Sequence, residues 1–323
     1  MKVSDLLRIR RRQWQELELL CDAMQSRRRS KLDAKVVSRF ASLYRAACAD
    51  LALADANQLP QNTVNYLHQL VGRAHNQLYR SRRFDVATWQ HMLLVEVPQR
   101  IFNDRCVQVA FLVFWGAFLI SAALASSTKL WPGYAEEILS SEQISQLESH
   151  FDSPMAGRSG EQNAFMASFY IYHNTGIGLK CFASGLLVIP GLIITLFNAV
   201  MLGASFGYMA RADVPQGENF FEFVTAHGPF ELTAIVLAAG AGLRLGLAWL
   251  DTNGLTRRSS LTEAAKHAMP LMGASMILFF LAAVIEGFVS PSALPYAFKA
   301  VIAVLASGAL MFYFVILGYP RET

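Results

Sequence analysis

The sequence contains several apolar runs that are long enough to cross a lipid bilayer. The first, from Cys106 to Ala125, carries no charged side chain. A helix of about twenty residues crosses a hydrocarbon core of roughly 30 Å. Because backbone groups in lipid must satisfy their hydrogen bonds within the protein, such runs form helices. We therefore predict an all-α, polytopic membrane protein with about six transmembrane helices.

Hydropathy and helix breakers divide the second part of the chain into these spans. The apolar region from Phe165 to Met209 is too long for one helix, and Pro190-Gly191 splits it into two. An acidic loop at residues 126–164 follows the first span. The predicted spans are 106–125, 165–188, 191–210, 229–250, 271–289 and 296–317.

Charge is distributed unevenly along the chain. Residues 1–105 carry 18 Lys and Arg against 10 Asp and Glu, which leaves 10 against 14 for the remainder. Since cytoplasmic segments near spans are rich in Lys and Arg, residues 1–105 are predicted to be cytoplasmic and the acidic loop external. This rule explains the basic segment without nucleic acid, so we expect no nucleic-acid partner. With six spans, both termini are predicted to be cytoplasmic.

The basic segment has the periodicity of amphipathic helices. In one stretch, Val36, Phe40, Leu43 and Ala47 recur at helical spacing. We predict a cytoplasmic helical bundle over residues 1–105 that includes an interfacial helix over residues 84–98.

Ionisable groups inside spans are costly, by about 2.5 to 3.5 kcal/mol at the centre on insertion scales, and therefore mark candidate sites. Gly228-Pro229 is expected to break the helix that carries two of them, and we interpret this as a broken or re-entrant helix beside a cavity. The predicted polar membrane site consists of His227, Glu231, His173, Asn174, Arg244 and Glu286.

The spacing of His227 and Glu231 leaves three interpretations open. Four residues apart on a helix, they share a face and suit a proton relay or half of a metal site. Alternatively, Glu231 accepts hydrogen bonds from the amides freed by the break and has only a structural role. Because two ligands do not define a metal site, we predict no metal and no cofactor.

Small residues in the spans predict close helix packing. Gly203 and Gly207 form a GxxxG pattern, and such faces pack against other helices of the same chain or of a second copy. A homodimer is therefore also compatible with the sequence. The glycines predicted to pack closely are Gly203, Gly207, Gly240, Gly242 and Gly246.

The chain contains no motif of a known catalytic site. A Walker A loop, a Rossmann glycine fingerprint and a nucleophile elbow are all absent from the sequence. We therefore predict no catalytic residues and expect that the protein is not an enzyme.

The sequence resembles the stage II sporulation protein M family of bacterial membrane proteins. The similarity is most specific in His227-Gly228-Pro229-Phe230-Glu231-Leu232 and continues to Gly242-Leu243-Arg244-Leu245-Gly246. Supporting residues are Asn174, Ile177, Leu179, 182–185, Asn198, 202–203, 73–75 and 78–80. The long N-terminal helical domain is similar to that of members from bacteria that do not sporulate.

The resemblance implies a bacterial inner-membrane protein that works in a cell-envelope complex while its partners perform the chemistry. For the branch with the long N-terminal domain, it implies MoxR-type AAA+ ATPases, von Willebrand-type domain proteins and RDD membrane proteins as possible partners. Our leading hypothesis is a non-enzymatic membrane subunit whose cytoplasmic bundle binds a partner. The alternative is a transporter or channel with its polar site at His227 to Glu231.

Overall fold

The computed structural model describes residues 3–26, 34–78, 90–155 and 157–320. Every regular element in these ranges is a helix, so the all-α class is confirmed. The chain divides into two compact units, Met1–Asp85 and Val86–Thr323.

The first unit contains helices α1 (Val3–Ser26), α2 (Ala34–Ala56) and α3 (Gln61–Leu78). Their apolar faces meet in one core, to which each helix contributes large side chains such as Leu17, Phe40 and Leu67. Trp14 is buried there, and its indole N–H donates to Asp50 Oδ2 at 2.9 Å. The indole therefore keeps a hydrogen bond inside an apolar core.

Within the part of the chain that the structure describes, the apolar helices long enough to be spans all lie in the second unit. Two stretches in it, Met92–Glu96 and Phe312–Ile316, are π-helical. Its α-helices are α4 (Val97–Asn103), α5 (Arg105–Ser126), α6 (Tyr134–His150), α7 (Gly160–Gly185), α8 (Ile189–Met209), α9 (Gly217–Val224), α10 (Gly228–Leu250), α11 (Arg257–Phe288) and α12 (Tyr296–Met311).

The boundary between the units differs from the predicted one at residue 105. Val97 and Ile101 of α4 are buried in the core formed by the spans, and α4 packs against Phe312–Ile316 and α11. Residues 90–105 therefore belong with the spans. The interfacial helix predicted over residues 84–98 lies partly outside the described residues.

Among the described residues, five helices are long and apolar enough to cross a membrane, namely α5, α8, α10, α11 and α12 with its π-helical continuation. The protein is therefore a polytopic membrane protein. The predicted span at residues 165–188 corresponds to α7, which is not among these five. Its His173, Asn174 and Lys180 make it less apolar. It nevertheless packs against α8, α10 and α11.

Helix α11 carries the span predicted over residues 271–289, but the helix itself begins earlier, at Arg257, and continues through Pro270. Proline lacks the N–H that would bond to the carbonyl four residues earlier, here that of Lys266. Arg100 Nη1 donates to this carbonyl at 3.4 Å. A side chain from α4 thus replaces the missing bond, and the helix continues.

Helix α10 lies at the centre of the second unit. Of its most apolar 18-residue window, 67% is buried, against 11 to 44% for the other four candidate spans. It contacts α5, α7, α8, α11 and α12. Most of its surface is therefore covered by protein rather than lipid.

Glycines allow these helices to approach one another at backbone distance. A Cβ at Gly240 would lie 2.8 Å from Cα of Val107, and one at Gly242 would lie 2.9 Å from Cα of Phe182. Both distances are shorter than ordinary van der Waals contact, so a methyl group would push the helices apart. Gly246 packs in the same way against the turn between α7 and α8.

The predicted GxxxG pattern is also used inside the chain. A Cβ at Gly203 would lie 3.0 Å from Cβ of Ser121, and one at Gly207 would lie 2.8 Å from Cβ of Ala125. Both glycines belong to α8 and face α5. The close-packing faces are thus occupied by helices of the same chain, and the prediction of a homodimer no longer rests on them.

The acidic loop 126–164 is folded against the ends of the spans. It contains α6, which packs on α8, and Tyr208 of α8 donates a hydrogen bond to Glu148 Oε1 at 2.6 Å. Arg211 Nε donates to the carbonyl of Ala125, the penultimate residue of α5, at 2.6 Å. This loop and the short helix α9 therefore form a layer at one end of the bundle.

Candidate functional site

The candidate site begins at the turn between α9 and α10. Helix α9 ends at Val224, and α10 starts at Gly228 with Pro229 in its first turn. Proline is favoured there because the first helical N–H groups lack intrahelical partners and its backbone angle already suits a helix. Gly228-Pro229 therefore lies at a break between two helices, and the span over α10 itself is not interrupted.

Three metal-ligating side chains converge at this point. One donor atom from each of His227, Glu231 and Glu286 lies within 4.8 Å of the other two. His227 occupies the N-cap position of α10, Glu231 follows one turn later, and Glu286 lies near the end of α11. His227 and Glu286 are buried, and the Glu231 side chain is 17% exposed.

Neighbouring polar groups hold two members of this cluster in place. His227 Nδ1 is hydrogen-bonded to Ser290 Oγ at 2.9 Å. Asn174 of α7, itself buried, donates from Nδ2 to Glu286 Oε2 at 3.2 Å. The ring of Phe223 packs edge-on against the imidazole, with centroids 5.6 Å apart. The imidazole and the Glu286 carboxylate are therefore both oriented by contacts outside the cluster.

A buried ion pair adjoins the cluster. Lys299 of α12 is 2% exposed, and its ammonium donates to Glu222 Oε1 at 3.1 Å and to the carbonyl of Ser290 at 2.9 Å. These three residues and Phe223 line a small cavity of about 40 Å³. Ser290 thus connects the cluster to the ion pair, because its hydroxyl is hydrogen-bonded to His227 and its carbonyl accepts a hydrogen bond from Lys299.

Two of the predicted site residues lie elsewhere. His173 is exposed and stacks on Phe169, with ring centroids 5.7 Å apart. Arg244 lies 13 residues after Glu231 on α10, between three and four turns along the helix, and pairs with Asp104, with Nε 2.5 Å from Oδ2. The polar membrane site therefore contains His227, Glu231, Asn174 and Glu286, and neither His173 nor Arg244 belongs to it.

Several polar residues next to the cluster were not assigned to the predicted site. Lys299 is an ionisable residue within a predicted span and Glu222 lies just upstream of His227, but nothing in the sequence indicates that they pair with each other or that Ser290 contacts both His227 and Lys299. Asp104 has a local signal, because an Asp just before an apolar run is a preferred N-cap residue. Its side chain accepts from the backbone N–H of Cys106 and Val107.

The arrangement has the chemistry of a proton-sharing or cation-binding site. Two carboxylates and one imidazole supply an acceptor set of mixed nitrogen and oxygen atoms, and both types are ligands for divalent transition metals. A carboxyl group of the pair can also share a proton with its neighbour.

Comparison with known proteins places this site inside a recognised family. A family model described as Stage II sporulation protein M matches residues 109–291, more than half of the chain. The first unit matches a separate family over residues 5–80, described as Domain of unknown function (DUF8413). No curated protein and no solved structure matches the chain.

Proposed function

Because the chain belongs to the stage II sporulation protein M family, we propose that it is a non-enzymatic membrane subunit of a bacterial cell-envelope complex. In this proposal the second unit anchors the complex in the membrane and the first unit binds its partners. The observation that carries the proposal is the closed packing around α10.

Backbone contact between the spans favours an anchor over a channel. Helix α10 meets α5 and α7 at glycine positions where not even a methyl group fits. Where helices touch at this distance, they leave no room for a solute or a file of water between them. Among the described residues, the cavity beside Lys299 is about 40 Å³, and a larger, open pocket of about 430 Å³ is lined by Arg158, Glu161 and Phe165 at the start of α7, away from the glycine contacts of α10.

The separate first unit is suited to binding a partner. It has its own apolar core, and it corresponds to its own domain family. Its surface carries charged side chains in exposed pairs, including Arg39 with Glu16 and Arg73 with Asp22. Such pairs contribute little to stability, so these charges are available for electrostatic recognition of a partner.

Family resemblance supplies the candidate partners. We infer a MoxR-type AAA+ ATPase, a von Willebrand-type domain protein or an RDD membrane protein, bound on the cytoplasmic side. The proposed location is the bacterial inner membrane, with α7 as the sixth span and both termini in the cytoplasm.

A crosslinked pull-down from native membranes tests this proposal. The full chain is compared with a chain lacking residues 1–85, and thermal unfolding is used to verify that the second unit remains folded. We expect partners of the ATPase or von Willebrand type to be enriched with the full chain only. Equal enrichment with both chains would assign binding to the spans, and enrichment with neither would remove the basis of the proposal.

Transport is the second candidate, because the buried polar cluster resembles the intramembrane acids of secondary transporters. Glu231→Gln separates the two functions. A transporter loses proton-dependent or ion-dependent flux with this change while remaining folded. For an anchor, we expect no flux in liposomes containing either the original chain or the variant.

A further inference from the structure

We propose that His227, Glu231 and Glu286 bind a divalent transition-metal ion of the zinc class, which ties the start of α10 to the end of α11. This inference goes beyond the proposed anchoring role and does not depend on it. It reverses the sequence-based expectation that the chain holds no metal.

The spacing of the donor atoms suits a shared ion better than direct hydrogen bonds. His227 Nε2 lies 3.7 Å from Glu231 Oε2, which is beyond hydrogen-bonding distance. Zinc bonds of about 2.1 Å at tetrahedral angles put neighbouring donors about 3.4 Å apart. One donor atom of Glu286 also lies within 4.8 Å of both other donors, so small side-chain movements bring all three onto one ion.

The imidazole is oriented for metal binding. A metal-bound histidine nearly always donates its other ring N–H to a neighbouring acceptor, which fixes its tautomer. Here Nδ1 is 2.9 Å from Ser290 Oγ, so Nδ1 can donate to the hydroxyl. Nε2 then carries the free lone pair and faces Glu231.

The Glu286 carboxylate has the same kind of support. Asn174 donates from Nδ2 to its Oε2 at 3.2 Å, as hydrogen-bond donors commonly do to ligating carboxylates. Asn174 comes from α7, so a third helix fixes the orientation of a ligand on α11. Cross-helix support of this kind distinguishes the cluster from a chance group of acids.

The charges of the Glu231 and Glu286 carboxylates also favour a bound cation. Burying an ionised carboxylate is costly unless a counter-ion accompanies it or the group takes up a proton. Within the described residues, no Lys or Arg lies within 4 Å of the carboxylate of Glu231 or Glu286. Lys299 is paired with Glu222, and Arg158 acts on Glu286 only from farther away. One divalent ion balances both carboxylates.

Access is possible from the end of the bundle. Glu231 is partly exposed, and the cavity of about 40 Å³ reaches Ser290 and Phe223, which both contact His227. Three protein donors leave one tetrahedral position for water or for a donor from a partner.

Zinc content of the purified full-length chain tests the proposal. The chain is stripped with a chelator, equilibrated with Zn²⁺ alone, freed of unbound metal and analysed by mass spectrometry. We expect about one zinc per chain, and the same for Glu218→Gln, which removes an exposed carboxylate on α9. His227→Ala and Glu286→Gln are expected to lose this zinc, and Ser290→Ala to bind it about 10-fold to 100-fold more weakly.

Cobalt separates this site from the four free cysteines, Cys21, Cys48, Cys106 and Cys181. Co²⁺ in the proposed site gives a visible spectrum without thiolate charge-transfer bands. Glu286→Gln keeps the size of the side chain, so it is expected to fold. Absence of zinc from the original chain would overturn the proposal. If the His227→Ala and Glu286→Gln variants bound as much zinc as the original chain, the zinc would be an adventitious ion only, and this result would also overturn the proposal.

Discussion

The guanidinium of Arg244 contacts the carboxylate of Asp104, which precedes it by 140 positions in the chain. The same carboxylate caps the first turn of α5. One acidic side chain therefore both starts α5 and joins it to the far end of α10. Helix α10 consequently has a polar attachment near each end, with His227 and Glu231 at one and Arg244 at the other.

Asp104→Ala is expected to lower the stability of the second unit. The change removes an N-cap and leaves Arg244, which is 30% exposed, without its counter-ion. We expect a loss of roughly 1 to 3 kcal/mol, measured as earlier thermal unfolding by circular dichroism in detergent. Asp104→Asn should recover part of the loss because asparagine also caps helices. Asp152→Ala, at an exposed acid, is the control, and equal unfolding of Asp104→Ala and this control would contradict the dual role.

Gly242→Ala is expected to destabilise the packing of α10 against α7. The new methyl group would meet the backbone of Phe182, which cannot move aside as a flexible side chain can. Overpacking of this kind costs about 1 to 3 kcal/mol. Gly273→Ala in α11 is the matched control, because nothing lies within 4 Å of its Cβ position. The prediction fails if both variants unfold at the same temperature.

The ion pair of Lys299 and Glu222 should respond unequally to loss of each partner. Lys299 is 2% exposed, whereas the Glu222 side chain is 35% exposed. Glu222→Gln leaves a buried ammonium without its counter-ion, while Lys299→Met leaves a carboxylate that can turn to water. Thermal unfolding should therefore show the larger destabilisation for Glu222→Gln. The reverse order would mean that Glu222 is the more deeply buried charge.

Cysteine labelling can test whether α7 is the sixth span. A Cβ at Gly246 would lie 2.8 Å from Val188 Cγ2, so the turn after α7 lies beside the cytoplasmic end predicted for α10. In a chain without its own cysteines, Leu187→Cys and Asn253→Cys should react with an impermeant reagent from the same membrane side. Ser141→Cys, in α6, should react from the other side. Labelling of positions 141 and 187 from the same side would show that α7 does not cross the membrane.

Hydropathy was sufficient to predict an all-α polytopic membrane protein, because lipid imposes one simple requirement on a whole segment. Helix α11 begins earlier than the span predicted over residues 271–289 and runs through Pro270. The helix continues because Arg100 supplies a hydrogen bond to the Lys266 carbonyl, and an interaction between such distant segments leaves no local signal. The start of α7 was also placed too late, since its first turn is polar and its capping box lies at Ser159.

The candidate site was predictable only where its residues are close in sequence. His227 and Glu231 share a helical face at a spacing of four, which a single sequence shows directly. Glu286 and Asn174 were named because ionisable and polar residues are rare in spans, but nothing indicated that they contact each other 112 positions apart. Arg244 was named by the same criterion, but it pairs with Asp104 and lies outside the site.

The coverage of α10 by other helices has a consequence for the order of membrane insertion. A segment enters lipid spontaneously when its own surface is apolar, and α10 carries Glu231 and Arg244 within its length. The counter-charge of Arg244 is on Asp104, and much of its packing surface is on α5, α7 and α8, all of which are synthesised earlier. During biosynthesis these three helices are therefore already in the membrane and offer a packing surface to α10. In a ribosome-bound chain that lacks them, α10 should remain at the translocon.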